Sequence, residues 1–218
     1  KRGEFSSALL YIGSALSVIF AGDLITLYVF WELMALTSVF LILLNNTDAS
    51  RRAALRYLIV HLVGGLVLLS GIVIHITKTG SLAFDLVAVS NPETWLMLIG
   101  VLVNAAAIPM SSWLPDAYPE STIMGGVILS AYTSKTAVYV LLRGFSGTDI
   151  LIWLGAAMAI YGIIYGLMEN NIRRVLAYSI INQVGFMVCA VGIGSKLAIA
   201  GASAHAFSHI IYKGLLWM

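Results

Sequence analysis

Charge is scarce in this chain. Only 10% of its 218 residues are Asp, Glu, Lys or Arg, and 60% are hydrophobic, whereas water-soluble domains carry about a quarter charged residues. That scarcity excludes an ordinary soluble fold and leaves an all-α polytopic membrane protein, with the lipid bilayer as its solvent. Cysteine is scarcer still. The single one, Cys189, sits inside an apolar run, which rules out a disulfide framework and a thiolate metal site. A net charge of +2, dispersed along the sequence, gives no footing for nucleic acid. Initiator methionine and signal-peptide pattern are both missing, and "HIIYKGLLWM" stops inside an apolar run. The chain therefore reads as an internal piece of a longer membrane protein.

Long apolar runs, by contrast, are abundant. A helix of about 20 apolar residues crosses a hydrocarbon core of roughly 30 Å. About eight such helices are predicted, over 5–22, 24–45, 53–77, 94–112, 122–143, 149–168, 173–194 and 197–218. Short polar connectors separate them, with no linker, low-complexity segment or soluble domain, so residues 1–218 form one transmembrane domain. If the helices alternate, Lys1, Arg2, Arg51, Arg52, Arg56, Arg173 and Arg174 fall on one side, and Lys78, Arg143 and Lys196 on the other. The positive-inside rule makes the first side, and the N-terminus, cytoplasmic. All four prolines, Pro92, Pro109, Pro115 and Pro119, lie in one zone. Pro109 falls inside the fourth predicted helix, where it removes a backbone hydrogen bond and kinks or breaks the helix. Backbone groups freed at membrane depth require a protein-lined or hydrated setting, as in the broken helices of transporters.

Most charges sit near helix ends or in connectors with access to the interface, including Asp23, Asp116, Glu93 and Glu169. Glu32, Lys135 and Lys213 do not. Each costs on the order of 2.5–3.5 kcal/mol to insert, so each is expected to face the bundle interior, paired or hydrated. Glu32 follows Asp23 by nine residues, ~13 Å of helical rise, too deep for its short side chain to reach the surface. It reads either as a proton-binding site or as a protonated structural carboxyl. Lys135 is near mid-helix among Ser130, Tyr132, Thr133, Ser134 and Thr136, and reads either as a proton-exchanging amine or as half of a static ion pair. The last segment, "AHAFSHIIYKGLLWM", puts His205, His209 and Lys213 four apart along one helix face. Imidazoles can accept on one nitrogen and donate from the other, so this ladder suits a proton relay. Metal or haem ligation is the competing reading, but a third ligand is lacking and the lysine opposes a bound cation. His61 is either a satisfied interhelical histidine or a relay group. Gly64-Gly65 reads as a close-packing site, and Asn182 and Gln183 as interhelical hydrogen-bonding groups.

The stretches "GDLITLYVFWELM", "IPMSSWLPDAYPES", "SKTAVYVLLR", "RRVLAYSIINQVGFMV" and "HAFSHIIYKGLLWM", taken in this order, resemble the antiporter-like membrane subunits of respiratory complex I, membrane-bound hydrogenases and Mrp-type cation/proton antiporters. Among these, the D-type Mrp subunits are the nearest in kind, and the resemblance covers essentially the whole chain. It implies helices four to eleven of a fourteen-helix fold built on inverted five-helix repeats, each with a discontinuous helix; here the break would fall near Pro109. It also implies that Glu32 is the family's essential glutamate. Lys135 would be the protonatable residue of the central axis, and His205, His209 and Lys213 its continuation. One residue departs from the pattern. Where such subunits usually carry a lysine, five positions before the proline, this chain has Asn104. Asparagine can hydrogen-bond a carboxyl but holds no positive charge, so the proton path would run differently, through water to Lys135, or the subunit would couple differently.

The expected function is that of a proton-translocating subunit of a bacterial-type inner-membrane cation/proton antiporter, active as a translocase only within a larger complex. Its partners would be other membrane subunits, protons and Na+. No redox-cofactor motif is present, and no metal or cofactor is expected. The alternative is a membrane subunit of a redox-driven proton pump, including a non-conducting scaffold whose buried charges only fix helix packing.

Overall fold

The computed structural model describes residues 2–218, in which nine α-helices follow one another: α1 (Arg2–Phe20), α2 (Leu24–Leu43), α3 (Asp48–Thr79), α4 (Pro92–Asn104), α5 (Trp113–Ala117), α6 (Ile123–Gly144), α7 (Ile150–Met168), α8 (Ile172–Ile193) and α9 (Lys196–Trp217). Six of them, α1, α2, α3, α6, α7 and α8, are long and apolar enough to span a bilayer. α9 has the length but carries the polar ladder, and α4 is short. Among the described residues no strand forms; a single bridge pairs Asp23 with Ala83.

Local chemistry sets the helix ends. The Asp23 carboxylate accepts from the Thr26 N–H at 2.8 Å and from its hydroxyl at 2.6 Å, capping α2. Thr47 and Ser50 form a reciprocal capping box at the start of α3. Gly80 ends α3 at φ 69°, a left-handed conformation that a residue without Cβ adopts at little cost. Pro92 opens α4 at its first turn, where no backbone donor is lost.

The predicted fourth helix does not run to residue 112. α4 stops at Asn104, five residues short of Pro109, and a 3-10 turn (Met110–Ser112) leads into α5. Between them Ala106 takes φ 55° and the Ile108–Pro109 bond is cis. The opened carbonyls find partners: Ala107 N–H donates to Leu102 O at 3.0 Å, and the Trp113 indole donates to Val103 O at 3.0 Å. Ala105, Ala106 and Ala107 of the break are thus buried in protein, as non-helical backbone at membrane depth requires, while Pro109 and Met110 lie at the surface of the chain.

α4, the break and α5 together make one crossing beside α3. Glu93 at its start pairs with Lys78 at the end of α3 (2.9 Å), and Asp116 at its finish pairs with Arg56 near the start of α3 (2.9 Å). Glu93 does not have the free access to the interface that its place in the sequence suggests; it is 3% exposed and held by that lysine. The connectors sort into two ends. Leu24 N–H bonds to Leu82 O, Val87 N–H to Gly144 O and Gly147 N–H to Val191 O at one end. At the other, Thr122 bonds to Glu4, Asn45 to Glu120 O, and Arg173 to Pro119 O and Ser121 O. Arg51, Arg52, Arg56, Arg173 and Arg174 therefore gather opposite Lys78, Arg143 and Lys196, the segregation that alternation requires. Lys1 and the Arg2 side chain lie outside the described residues.

α6 is the pivot: 78% of its most apolar window is buried, and it packs on α1, α2, α4, α8 and α9. α7 is the opposite case, with only 22% buried and Trp153, Ile160 and Leu167 pointing outward, a helix dressed for lipid.

The Asp23 cap yields a pH-dependent expectation. Its carboxyl is held below the ordinary value by the Thr26 hydroxyl and N–H, so its contribution is complete above the unfolded value of about 3.9 and is lost as pH falls through the folded one. Asp23→Ala in the full-length protein should lower thermal stability near neutrality by about 1 kcal/mol. Melting curves of wild type and variant should converge only in strongly acidic buffer; a gap that persists there would contradict the cap.

Candidate functional site

Two groups of buried or half-buried ionisable side chains face the bundle interior. The first surrounds Glu32 on α2. Its carboxyl rests on Gly65 of α3: a Cβ built on that glycine would collide with Glu32 Oε1. On the preceding residue, Gly64, an added Cβ would lie 2.9 Å from Val103 Cγ1, near the end of α4. The glycine pair is thus where the acid-bearing helix and the broken helix both close on α3. It is a packing site, as expected, and also the seat of the carboxyl, which sequence alone does not reveal.

Glu32 makes no ion pair among the described residues; the salt bridges there all join helix ends or connectors. Its Oε1 is buried without a hydrogen-bond partner, and so are both polar side-chain atoms of Asn104, a residue with no exposed surface. The glycine pair brings Glu32 together with Val103, the residue before Asn104, and no hydrogen bond joins Glu32 to Asn104. Buried polar groups are normally satisfied, so unpaired oxygen and amide atoms at a helix break are atoms with capacity for protons or water.

The second group lies where α6, α8 and α9 meet. Lys135 is 6% exposed; its Nζ donates to Ser130 O at 2.6 Å and to Ser134 Oγ at 3.2 Å. The ion-pair reading of Lys135 is therefore not what the structure contains: oxygens of its own helix hold the amine. Lys213, 2% exposed, donates to Ser179 Oγ of α8 at 2.7 Å. His209 is fully buried with neither ring nitrogen bonded, and its ring stacks on His205 with centroids 6.0 Å apart. Tyr212 meets His209 edge-on at 5.1 Å and donates to Gln183 Oε1 at 3.3 Å. Gln183 in turn bonds Asn182, whose amide donates to Ala159 O of α7 at 2.7 Å, the interhelical role expected of both.

Electrostatic interactions link Lys135 to Lys213, His205 and His209. No carboxylate pairs with any of them among the described residues. In a low-dielectric interior, a charge on one such base raises the energy of a charge on the next. The structure thus unites Lys135, His205, His209 and Lys213 and leaves Glu32 apart, across α3 and α6.

This is the geometry of a known family. A family model described as NADH:quinone oxidoreductase/Mrp antiporter, TM, matches residues 21–218. The chain belongs to this family. It is 30% identical to the D subunit of the Na(+)/H(+) antiporter of Alkalihalophilus pseudofirmus over 217 residues, covering 90% of this chain and 44% of that protein. It is also 30% identical to the M subunit of the NADH-quinone oxidoreductase of Pseudomonas aeruginosa over 245 residues, covering 99% of this chain and 48% of the relative. The fold superposes on a chain of the Mrp complex from Dietzia sp. DQ12-45-1b with a TM-score of 0.91 at 29% identity, covering 100% of this chain and 26% of that one. The chain spans about half the length of the two curated relatives. It is a multi-pass membrane protein of the NADH:quinone oxidoreductase/Mrp antiporter family, as the motifs implied.

Nothing in the sequence marks Gly65 as the carboxyl's seat or Ser179 as the partner of Lys213. Small residues are common packing elements in membrane helices, so neither announces a contact with a charged group. The two kinds of close approach can be separated by experiment. A Cβ at Gly100 would press to 2.6–2.8 Å on Leu68 Cβ, Leu68 N and Gly64 O, atoms that cannot swing aside, whereas at Gly65 it meets the end of a flexible side chain. Gly100→Ala should therefore cost about 1–3 kcal/mol in thermal stability. Gly65→Ala should cost less while displacing the carboxyl. Equal destabilisation by the two would contradict this account.

Proposed function

We propose that this chain is the proton-conducting core of an antiporter-like subunit. Protons pass between Glu32 and the cluster of Lys135, His205, His209 and Lys213 through bound water, and leave along α9. The observation that supports this most is the acid-free cluster at membrane depth: two buried lysines held by hydroxyl and carbonyl oxygens, beside two stacked histidines with unbonded ring nitrogens. A structural role would be better served by ion pairs, since an uncompensated buried charge is costly and fixes no geometry. Bases that repel one another can instead pass a proton onward as each neighbour charges.

The likeness to a subunit of an Na(+)/H(+) antiporter favours exchange of protons for a monovalent cation, sodium first, within a multi-subunit complex of a bacterial-type inner membrane. The Arg51, Arg52, Arg56, Arg173 and Arg174 end would face the cytoplasm by the positive-inside rule. Asn104 favours a second reading, a non-conducting scaffold in a redox-driven pump: with no cation beside it, the carboxyl region would serve packing alone.

Reconstituting the intact complex in vesicles separates the two. Cation-driven proton flux should fall by about 10²-fold or more in Glu32→Gln and in Lys135→Met, the scale on which losing a proton-transfer group acts, with complex assembly unchanged. Wild-type flux in both variants would leave only the scaffold. For orientation, cysteines introduced at Asp48 and at Ser81 should react with an impermeant thiol reagent from the cytoplasmic and the opposite side respectively; the reverse pattern would invert the topology.

A further inference from the structure

His61 lies on α3, one helical turn before the glycine that seats the Glu32 carboxyl, and on the same face. It is 1% exposed. Its Nδ1 lies 2.9 Å from Tyr57 O; a carbonyl only accepts, so Nδ1 carries the hydrogen. Nε2 is then left as a lone-pair acceptor, and it is buried with no partner. The ring is clamped rather than loosely packed. It stacks on Tyr57 at 3.9 Å and meets Trp113 of α5 edge-on at 4.5 Å, the same Trp113 whose indole holds the Val103 carbonyl at the helix break. An imidazole fixed in one tautomer, its free nitrogen buried and unbonded one helical turn from the glycine that seats an unbonded carboxyl oxygen, is more than a satisfied core histidine.

What lies beyond the ring gives it an outlet. The Tyr57 hydroxyl accepts from Ser38 at 2.9 Å, and the hydroxyls of Tyr57 and Tyr118 converge on Thr133 of α6, which is hydrogen-bonded to Tyr11. Thr133 sits three residues from Ser130, whose carbonyl holds the Lys135 amine, so the two are neighbours on one face of α6. Exchangeable groups thus lie on α2, α3 and α6 in the order Glu32, His61, Tyr57, Thr133, Lys135, with the Ser130 carbonyl between the last two.

We infer that His61 is a further relay residue, carrying the proton between Glu32 and Lys135 where Asn104 offers no cation. The inference rests on the proton-relay reading above. The carboxylic acid of Glu32 releases its proton to bridging water, since no hydrogen bond joins it to His61 and its glycine seat stands one helical turn, ~5.4 Å of rise, from the histidine. His61 Nε2 binds that proton and becomes imidazolium. It returns to neutral as the proton passes to the hydroxyl group of Tyr57 and Thr133, each oxygen accepting one hydrogen while donating its own onward. The neutral Lys135 amine ends the step as ammonium. Only N–H and O–H bonds form and break.

The test uses the full-length protein in its assembled complex, reconstituted in vesicles. His61→Gln should lower cation-driven proton flux by about tenfold or more with assembly intact. Isotope-edited infrared difference spectra with ring-labelled histidine should show an imidazole/imidazolium band pair on imposing the cation gradient, absent in His61→Gln. Should that variant fail to assemble, Tyr57→Phe keeps the stacked ring, removes the hydroxyl, and should show a comparable loss of flux. Glu32→Gln is the control. If it abolishes flux while His61→Gln or Tyr57→Phe retains wild-type flux, or if the band pair is missing, the relay through His61 is overturned. If Glu32→Gln also conducts normally, the proton-relay reading itself falls.

Discussion

A half-buried carboxyl seated on a glycine, its Oε1 enclosed and without a cation, is the constraint around which this bundle is arranged. Glu32 can occupy that place only because Gly65 has no side chain, and Gly65 can be bare only because α2 closes tightly on α3 there. The next residue, Gly64, admits Val103 and with it the end of α4. The acid and the helix break are therefore held by the same pair of glycines. An unpaired acid at that depth is expensive, and the nearby backbone carbonyls opened by the break are themselves occupied by Trp113 and Ala107. In the proposed relay, what remains for the carboxyl is proton exchange with groups on its own side of α3.

The rest of the fold supplies the other half of the path. α6 is the most enclosed helix, and its hydroxyl-rich face carries Thr133 and Lys135 into the centre, against α1, α8 and α9. α9 brings His205, His209 and Lys213 to the same interior, and α8 holds Lys213 through Ser179. Charged pairs are confined to the two ends, where Arg56–Asp116 and Lys78–Glu93 staple the broken crossing to α3. Ion pairs give fixed geometry at the rims, and the titratable groups of the middle, which no acid pairs among the described residues, are the ones the proposed relay uses.

Much of this was legible in the sequence because membrane burial makes polar residues conspicuous. The crossings, the segregation of basic residues, the proline zone and the buried titratable positions follow from apolar runs interrupted by expensive groups. The motifs also carried the family. The end of α4 did not follow. Asn104-Ala105-Ala106-Ala107 reads locally as good helix, and only tertiary contacts, with Ala106 at positive φ and Trp113 capping Val103, stop it early. The start of α3 lies five residues ahead of the apolar run because Thr47 and Ser50 cap it, a polar signal that hydropathy passes over. Glu93 reads as a surface acid because it lies at a helix end; Lys78, fifteen residues earlier on another helix, covers it. The ion-pair alternative for Lys135 rests on the presence of acids in the chain, but among the described residues none reaches it.

The central question is whether the carboxyl of Glu32 and the free nitrogen of His61 exchange protons through water. A density map of the intact complex in lipid, at a resolution that shows ordered solvent, addresses this most directly. The predicted result is water hydrogen-bonded to both Glu32 Oε1 and His61 Nε2, continuing to the Tyr57 and Thr133 hydroxyls. A dry, side-chain-filled gap between carboxyl and imidazole would contradict it.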